Sequence, residues 1–386
     1  MTDSPDSVLL ADHAGQWHAA YVHLPFCARV CPYCDFAVVS GLDDLIERYV
    51  SAVRTEIRRE KDWKALASVY VGGGTPSRVP PVLVGDLIRA LDERFGIEPG
   101  AEISLEANPE DWTLAIAGQL ADQGVERVSF GSQSFDAVVL ELLGRRHRPE
   151  QIAAAVTAAR SAGFRSVNLD LIFGTQGETV GSWQRTLDQA IALEPDHVSC
   201  YALTVEPGTE LGRAVAGGAP APDPDLQADL YEMACERLAE AGLIRYEVSN
   251  WARPGHAVRY NLAVWNQGEY LAFGMGAHRF RDGMRSYNRR LLDGYLTSIE
   301  AGESPTVGSE AIEGWAAEVE RVFLGIRRVA GVVAGDAGNA LMTSEEGHRL
   351  AAAGVIELVA GRLVVKRPLI TDHVARVLLA LAPLEC

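Results

Sequence analysis

The sequence has no apolar run approaching the roughly 20 residues a transmembrane helix needs, which excludes a helical membrane span. Its start, MTDSPDSVLLADHAGQW, lacks the basic then apolar order of a secretory leader, so a cytoplasmic protein is expected. Basic residues are scarce: 35 Lys and Arg against 52 Asp and Glu leave a formal charge of −17, which opposes binding to a phosphate backbone. One local basic patch is expected at Arg145, Arg146, His147 and Arg148. Cysteines are also few, 6 in 386 residues, too few for a disulfide framework. Three of them, Cys27, Cys31 and Cys34, fall within eight positions, and that crowding reads as metal binding. Cys200, Cys235 and Cys386 are scattered, as packing residues or a free terminal thiol would be.

What is present is the balance of a globular protein with a large core: 48% hydrophobic and 23% charged residues. Short β-rich runs (AAYVHL at 19–24, SVYVGG at 68–73, EISLEA at 102–107, RVSFGS at 127–132, SVNLDLIFG at 166–174, HVSCYALTV at 197–205) alternate with helical segments. Strand and helix in strict alternation predict an α/β fold, a parallel (β/α)6 sheet wound by right-handed crossovers and closed partly or fully into a barrel. After about residue 305 the character changes to helices followed by VIELVAGRLVVK, a hairpin turning at Ala360-Gly361, and a last helix. The expected organisation is an N-terminal arm over 1–18, a core over 19–305, and a small C-terminal winged-helix-like α+β domain over 306–386.

The chemistry concentrates at strand ends. Cys27-x3-Cys31-x2-Cys34 follows the first strand, and three thiolates on one tight loop can each take one iron of a cubane while the fourth iron stays open. The second strand ends in Gly72-Gly73-Gly74-Thr75-Pro76, where absent side chains let a ligand approach the backbone. Glu106, Gln133 and Asp170 recur at or near the C-terminal ends of later strands, the face on which parallel barrels assemble their sites. Each alone fits a helix cap or a buried network; together they describe a binding site.

The run Tyr21-Val-His-Leu-Pro-Phe-Cys27 through Cys31-Pro-Tyr-Cys34, with Gly-Gly-Gly-Thr-Pro after it, resembles the radical S-adenosylmethionine (SAM) superfamily. Within it the chain is similar to the oxygen-independent coproporphyrinogen oxidase group through FGSQSF, GRRH, NLDLIFG, YALTVEPGT and the GAH segment. The resemblance implies a radical SAM barrel with a 4Fe-4S cluster on Cys27, Cys31 and Cys34. It implies S-adenosylmethionine at Tyr21, Tyr33, Gly73, Gly74, Thr75, Glu106, Gln133, Arg145, Asp170 and Ala202. Gly73, Gly74 and Thr75 would meet the methionyl amine, Arg145 its carboxylate, and Glu106, Gln133 and Asp170 the ribose side. A reduced cluster would then cleave the sulfonium to methionine and a 5′-deoxyadenosyl radical, with a reductant as partner.

Two positions bear on the branch. Oxidases of the group carry a fourth cysteine one residue beyond the third, where this chain has Asp35 and then Phe36, and they carry a longer N-terminal extension. Phe36 resembles the HemW-type haem-chaperone branch, implying haem as ligand and delivery to an acceptor protein, through which any membrane contact would come. That branch carries a His-Asn-x-x-Tyr-Trp motif whose histidine is implicated in holding haem; the matching stretch is Tyr260-Asn261-Leu262-Ala263-Val264-Trp265. Tyrosine ligates ferric haem in catalase, so Tyr260 is a candidate ligand, with His256 and His278 as alternatives. The other reading is an enzyme acting by radical chemistry on a porphyrinogen or other small substrate. A nucleic-acid regulator using the C-terminal lobe is disfavoured by charge.

Overall fold

The computed structural model describes residues 18–382. Residues 1–17 of the expected arm, and Cys386, lie outside the described residues. The six expected strands are present as β1 (Ala19–Leu24), β2 (Leu66–Gly73), β3 (Ile97–Ala107), β4 (Arg127–Gln133), β5 (Ser166–Phe173) and β6 (His197–Ala202). Each pairs in parallel with its sequence neighbour. Their cores are nearly continuously buried, as in β2 and β5, because helices cover one face and the barrel interior the other.

The sheet extends beyond the expected six. Asn250–Ala252 (β7) adds antiparallel to β6, while Tyr270–Phe273 (β8) adds as a seventh parallel strand on the far side of β1. Three more strands, His278–Arg281 (β9), Met284–Asn288 (β10) and Thr306–Ala311 (β11), follow antiparallel, and with the short edge strand Ile244–Arg245 paired antiparallel to β7 they complete a 12-stranded sheet. β11, just past residue 305, is hydrogen-bonded into this sheet through β10.

Outer helices present the apolar stripe that their spacing predicts. In α1 (Ile46–Arg59), Ile46, Tyr49, Val50, Val53 and Ile57 recur every three or four residues and are buried. Helix starts are capped where the sequence offers a hydroxyl: Thr113 accepts from the Ile116 N–H, and Thr179 and Ser182 form a capping box, each contributing about 1 kcal/mol. Glu56, buried on α1, ties the strand extension to the barrel. It accepts from the Gly274 N–H at 2.9 Å, the Tyr295 hydroxyl at 2.6 Å and the Asn288 amide at 2.7 Å.

The C-terminal lobe has its own apolar cluster, including Val322, Leu341, Leu363, Val374 and Leu378. Its hairpin strands, Ile356–Val359 and Arg362–Val365, turn at Ala360 (φ 49°) and Gly361 (φ 78°), the two left-handed positions of a tight hairpin. No helix among the described residues is long and apolar enough to cross a membrane.

Candidate functional site

The cysteine loop is fastened at both ends before any ligand is considered. Phe26 and Cys27 pair in parallel with Val39 and Ser40, and the Cys34 N–H donates to the Cys31 carbonyl at 3.1 Å. Under the loop sits His23, whose Nε2 donates to the Ala37 carbonyl at 2.8 Å while its Nδ1 accepts from the Tyr21 hydroxyl at 3.0 Å. That tautomer requires a neutral ring, and burial lowers the His23 pKa accordingly.

The glycine run is locked to this loop: the Gly74 N–H donates to Leu24 O at 2.8 Å and the Thr75 N–H to Phe26 O at 2.9 Å. A β-carbon on Gly73 (φ +123°) would lie 2.7 Å from the His23 ring, and one on Gly74 would lie 2.6 Å from Pro25 O and 2.9 Å from Cys27 Sγ. Glycine is therefore demanded twice by close approach.

Beyond the glycines, carboxylates line a cleft of about 400 Å³ that also holds Cys27, Cys31 and Cys34. Glu106 accepts from the Tyr70 hydroxyl and from the Gly73 N–H, both at 2.9 Å. Burial pushes its pKa up to about 7, against the lowering effect of those donors. Asp170 accepts from Ser129 at 2.6 Å and from Asn168 at 2.8 Å, and burial raises it too. Gln133 has φ 60°, a left-handed conformation that non-glycine residues adopt mainly where structure or function requires it.

Arg145 spans the cleft. Its Nη1 lies 3.6 Å from Cys31 Sγ and its Nη2 donates to Gly131 O at 2.7 Å and to Asn108 Oδ1. The Asn108 amide continues to Thr75 Oγ1 at 3.1 Å, and Thr75 Oγ1 to Cys27 Sγ at 3.6 Å. A hydrogen-bonded chain thus joins Cys31 to Cys27 through Arg145, Asn108 and Thr75.

Tyr33, Gly73, Gly74, Thr75, Glu106, Gln133, Arg145, Asp170 and Ala202 all line this cleft. Tyr21 does not; it stands one layer away, stacked with Tyr70 at 6.2 Å and Tyr260 at 5.9 Å, beside an adjoining cavity of about 560 Å³. That cavity brings Tyr260 and His278 together with Arg290 and Phe36, and Phe36 is 62% exposed at its edge. His256 is elsewhere. Its carbonyl accepts from Arg127, the first residue of β4, at 2.8 Å, which places it at the end of the barrel opposite the cysteines.

The expected basic patch is corrected as well: His147 is buried, with Nε2 bonded to Ser132 O at 2.9 Å, and Arg145 faces the cleft, so Arg146 and Arg148 alone of the four are exposed. Cys200 is buried in β6 as packing.

Sequence reasoning missed Tyr70, Asn108, Ser129 and His23. Strand parity was the available signal: Tyr70 is in register with Tyr21, and Ser129 with Glu106, so each points to the same face as a residue already singled out.

A family profile described as the radical SAM superfamily matches residues 21–190. The heme chaperone HemW of Mycobacterium tuberculosis is 38% identical over 381 residues, covering 96% of this chain and 97% of that protein. The chain belongs to the radical SAM superfamily, in the HemW heme chaperone family. HemW of Synechocystis sp. is 37% identical over 324 residues, 81% of this chain and 79% of its own. The crystallised coproporphyrinogen III oxidase HemN of Escherichia coli shares the fold, with a TM-score of 0.81 at 21% identity over 97% of this chain and 92% of its own.

Membership in the radical SAM superfamily implies a 4Fe-4S cluster and S-adenosylmethionine, and the cleft fits both. Cys27, Cys31 and Cys34 line one cavity, and thiolates are the donor set an iron–sulfur cluster takes. Burial raises the Cys27 thiol and pushes Cys34 up to about 11, so cluster assembly on the free protein must release protons. When bound, the cluster supplies a single electron for reductive cleavage of a sulfonium.

Proposed function

We propose that this protein binds haem and hands it to an acceptor protein, with the cluster and S-adenosylmethionine assisting the transfer. The observation that carries the reading is the full-length relationship to proteins named heme chaperone HemW, 38% identical over 96% of this chain. Two features support it. Where the oxidases place a fourth cysteine the chain has Phe36, and next to the cysteine cleft lies a cavity of about 560 Å³ containing both Tyr260 and His278. The Tyr260 ring is held among Tyr21, Tyr70 and Tyr270, so its position is fixed by three neighbours. In this reading Tyr33, Gly73, Gly74, Thr75, Glu106, Gln133, Arg145, Asp170 and Ala202 hold S-adenosylmethionine, with Tyr21 packed behind them on Tyr70, Tyr260 or His278 is the haem ligand, and the protein works in the cytoplasm with a reductant for its cluster.

The test is twofold. Incubation of the reconstituted, reduced protein with coproporphyrinogen III should give no decarboxylated product, and Tyr260→Phe or His278→Ala should change the optical spectrum of bound haem. Turnover of coproporphyrinogen III would reject the chaperone reading in favour of an oxidase.

A further inference from the structure

Beside the cysteine cleft, β4 ends in an irregular stretch. Its register against β5 shifts between Phe130 and Gln133, which leaves one residue more on β4 than on its partner. The Ser134 N–H turns back to the Ser132 carbonyl at 2.7 Å, with Gln133 between them at φ 60°, a three-residue turn that strains any residue but glycine. What the turn achieves is the placement of Gln133. A β-carbon on Gly131 would lie 3.0 Å from both Gln133 Nε2 and Arg145 Nη2 and 3.1 Å from Asn108 Oδ1, so three polar groups of the cleft gather over one glycine.

A strained turn persists only where its surroundings hold it. Here the holder is His147, whose side chain has no exposed surface. Its Nε2 donates to the Ser132 carbonyl at 2.9 Å, the same oxygen that closes the turn, and its Nδ1 lies 3.2 Å from Glu110 Oε2. The carbonyl takes the Nε2 proton, so a second proton lies between Nδ1 and the Glu110 carboxylate. Burial raises the Glu110 carboxyl, but the His147 contact, its own backbone N–H and the Arg145 charge outweigh burial and hold it below its ordinary range.

Arg145 runs alongside. It bridges Gly131 O, at 2.7 Å, to Asn108 Oδ1, while His147 bridges Ser132 O to Glu110. Two adjacent carbonyls of β4 are thus tied to one segment after β3, once through each side chain. Arg145 and Asn108 line the cleft; His147 and Glu110 stand behind it.

We propose that His147, backed by Glu110, is a positioning residue for S-adenosylmethionine: it holds the Ser132–Ser134 turn so that the Gln133 amide stands in the cleft beside Arg145. The inference rests on the reading of this cleft as the S-adenosylmethionine site, and it gives a task to a histidine that lies outside that site.

Equilibrium dialysis of S-adenosylmethionine against the anaerobically reconstituted protein tests it, with iron and sulfide content as the control. His147→Ala should weaken binding at least tenfold at unchanged cluster content. His147→Gln, whose amide N–H still reaches Ser132 O, should recover most of that loss. His147→Asn, whose amide stands where Nδ1 did and stops short of Ser132, should not, and it carries the test if His147→Ala fails to fold. Gln133→Gly removes the positioned amide and suits the positive φ; it should weaken binding too, and adding His147→Ala to it should cost little more, because the turn then has no side chain to aim. Wild-type affinity in His147→Asn, no recovery in His147→Gln, or a double variant in which the two losses add overturns the proposal. If Gln133→Gly and Glu106→Gln both leave affinity untouched, the reading of the cleft fails and this inference fails with it.

Discussion

The cysteine cleft and the seam where the barrel meets the C-terminal lobe share the wall formed by Tyr201, Ala202 and Thr204, yet they treat polar groups differently. In the cleft, Glu106, Asp170 and Asn108 are bonded by the protein itself, and Arg145 is held through both Nη atoms while its Nε is left unbonded. In the seam, Asn250, Trp265 and Thr371 each keep a buried polar atom that the protein leaves unbonded. The first arrangement is preorganised: its side chains are already oriented, and a ligand meets fixed partners. The second leaves the cost of those buried atoms unoffset.

This contrast ranks the expected effects of substitution. Replacing Cys27, Cys31 or Cys34 by serine should have the largest: iron and sulfide content after anaerobic reconstitution should fall to a small fraction of wild type. Next is Gly74→Ala. Its β-carbon would meet the backbone oxygen of Pro25 at 2.6 Å, so the glycine run and cysteine loop must separate. We expect roughly 1–3 kcal/mol lost in denaturant titration, together with reduced iron content. Unchanged stability and cluster content would show that the fit between those two segments is loose.

Glu106→Gln comes third. The amide cannot accept from both Tyr70 and Gly73 as the carboxylate does, and S-adenosylmethionine affinity by equilibrium dialysis should drop about tenfold, the equivalent of roughly 1.4 kcal/mol. A pH effect accompanies it. Burial raises the folded-state pKa of Glu106 from 4.5 to about 7, so between those values the folded protein binds more protons than the unfolded chain. The associated stabilisation is complete below pH 4.5 and is lost as pH rises through 7, and Glu178, also pushed up to about 7 by burial, contributes with the same sign. Wild-type stability should therefore decline across that window, and Glu106→Gln should flatten the decline in part. An identical pH profile in the variant would contradict the assignment.

The smallest effect is expected in the seam. Thr371→Val removes a buried hydroxyl that has no partner and keeps the side chain's shape, so stability should stay within about 1 kcal/mol of wild type or rise. The comparable change in the cleft, Asp170→Asn, disturbs bonds from Ser129 and Asn168 and should lower stability by roughly 1–3 kcal/mol. If Thr371→Val proves the more damaging of the two, the contrast between the regions fails.

Much of this was legible in the residues, for identifiable reasons. The six expected strands were found because β-branched and apolar runs alternate with amphipathic helices, and the AAYVHL run coincides with β1. Strand β8 was not assigned: its segment GEYLAFGMG is framed by glycines, and only its pairing with β1, long-range in sequence, makes it a strand. The cysteine loop and glycine run announced themselves by spacing. Asn108 did not, since one amide after SLEA carries no signal until Arg145 and Thr75 are seen on either side of it. His256 and Tyr260 lie four residues apart in sequence, yet the first sits near the start of β4 and the second beside Tyr21 and Tyr70. Which histidine accompanies the tyrosine depends on the path of the helix Arg259–Trp265 into the barrel, and spacing alone does not reveal it.

The most direct test of the account is a titration of haem into the anaerobically reconstituted protein, read by absorbance. Saturable one-to-one binding with a defined Soret band, altered in Tyr260→Phe or His278→Ala, is the predicted result. A protein that assembles its cluster and binds S-adenosylmethionine but shows no saturable Soret change would contradict the haem-chaperone function proposed for it.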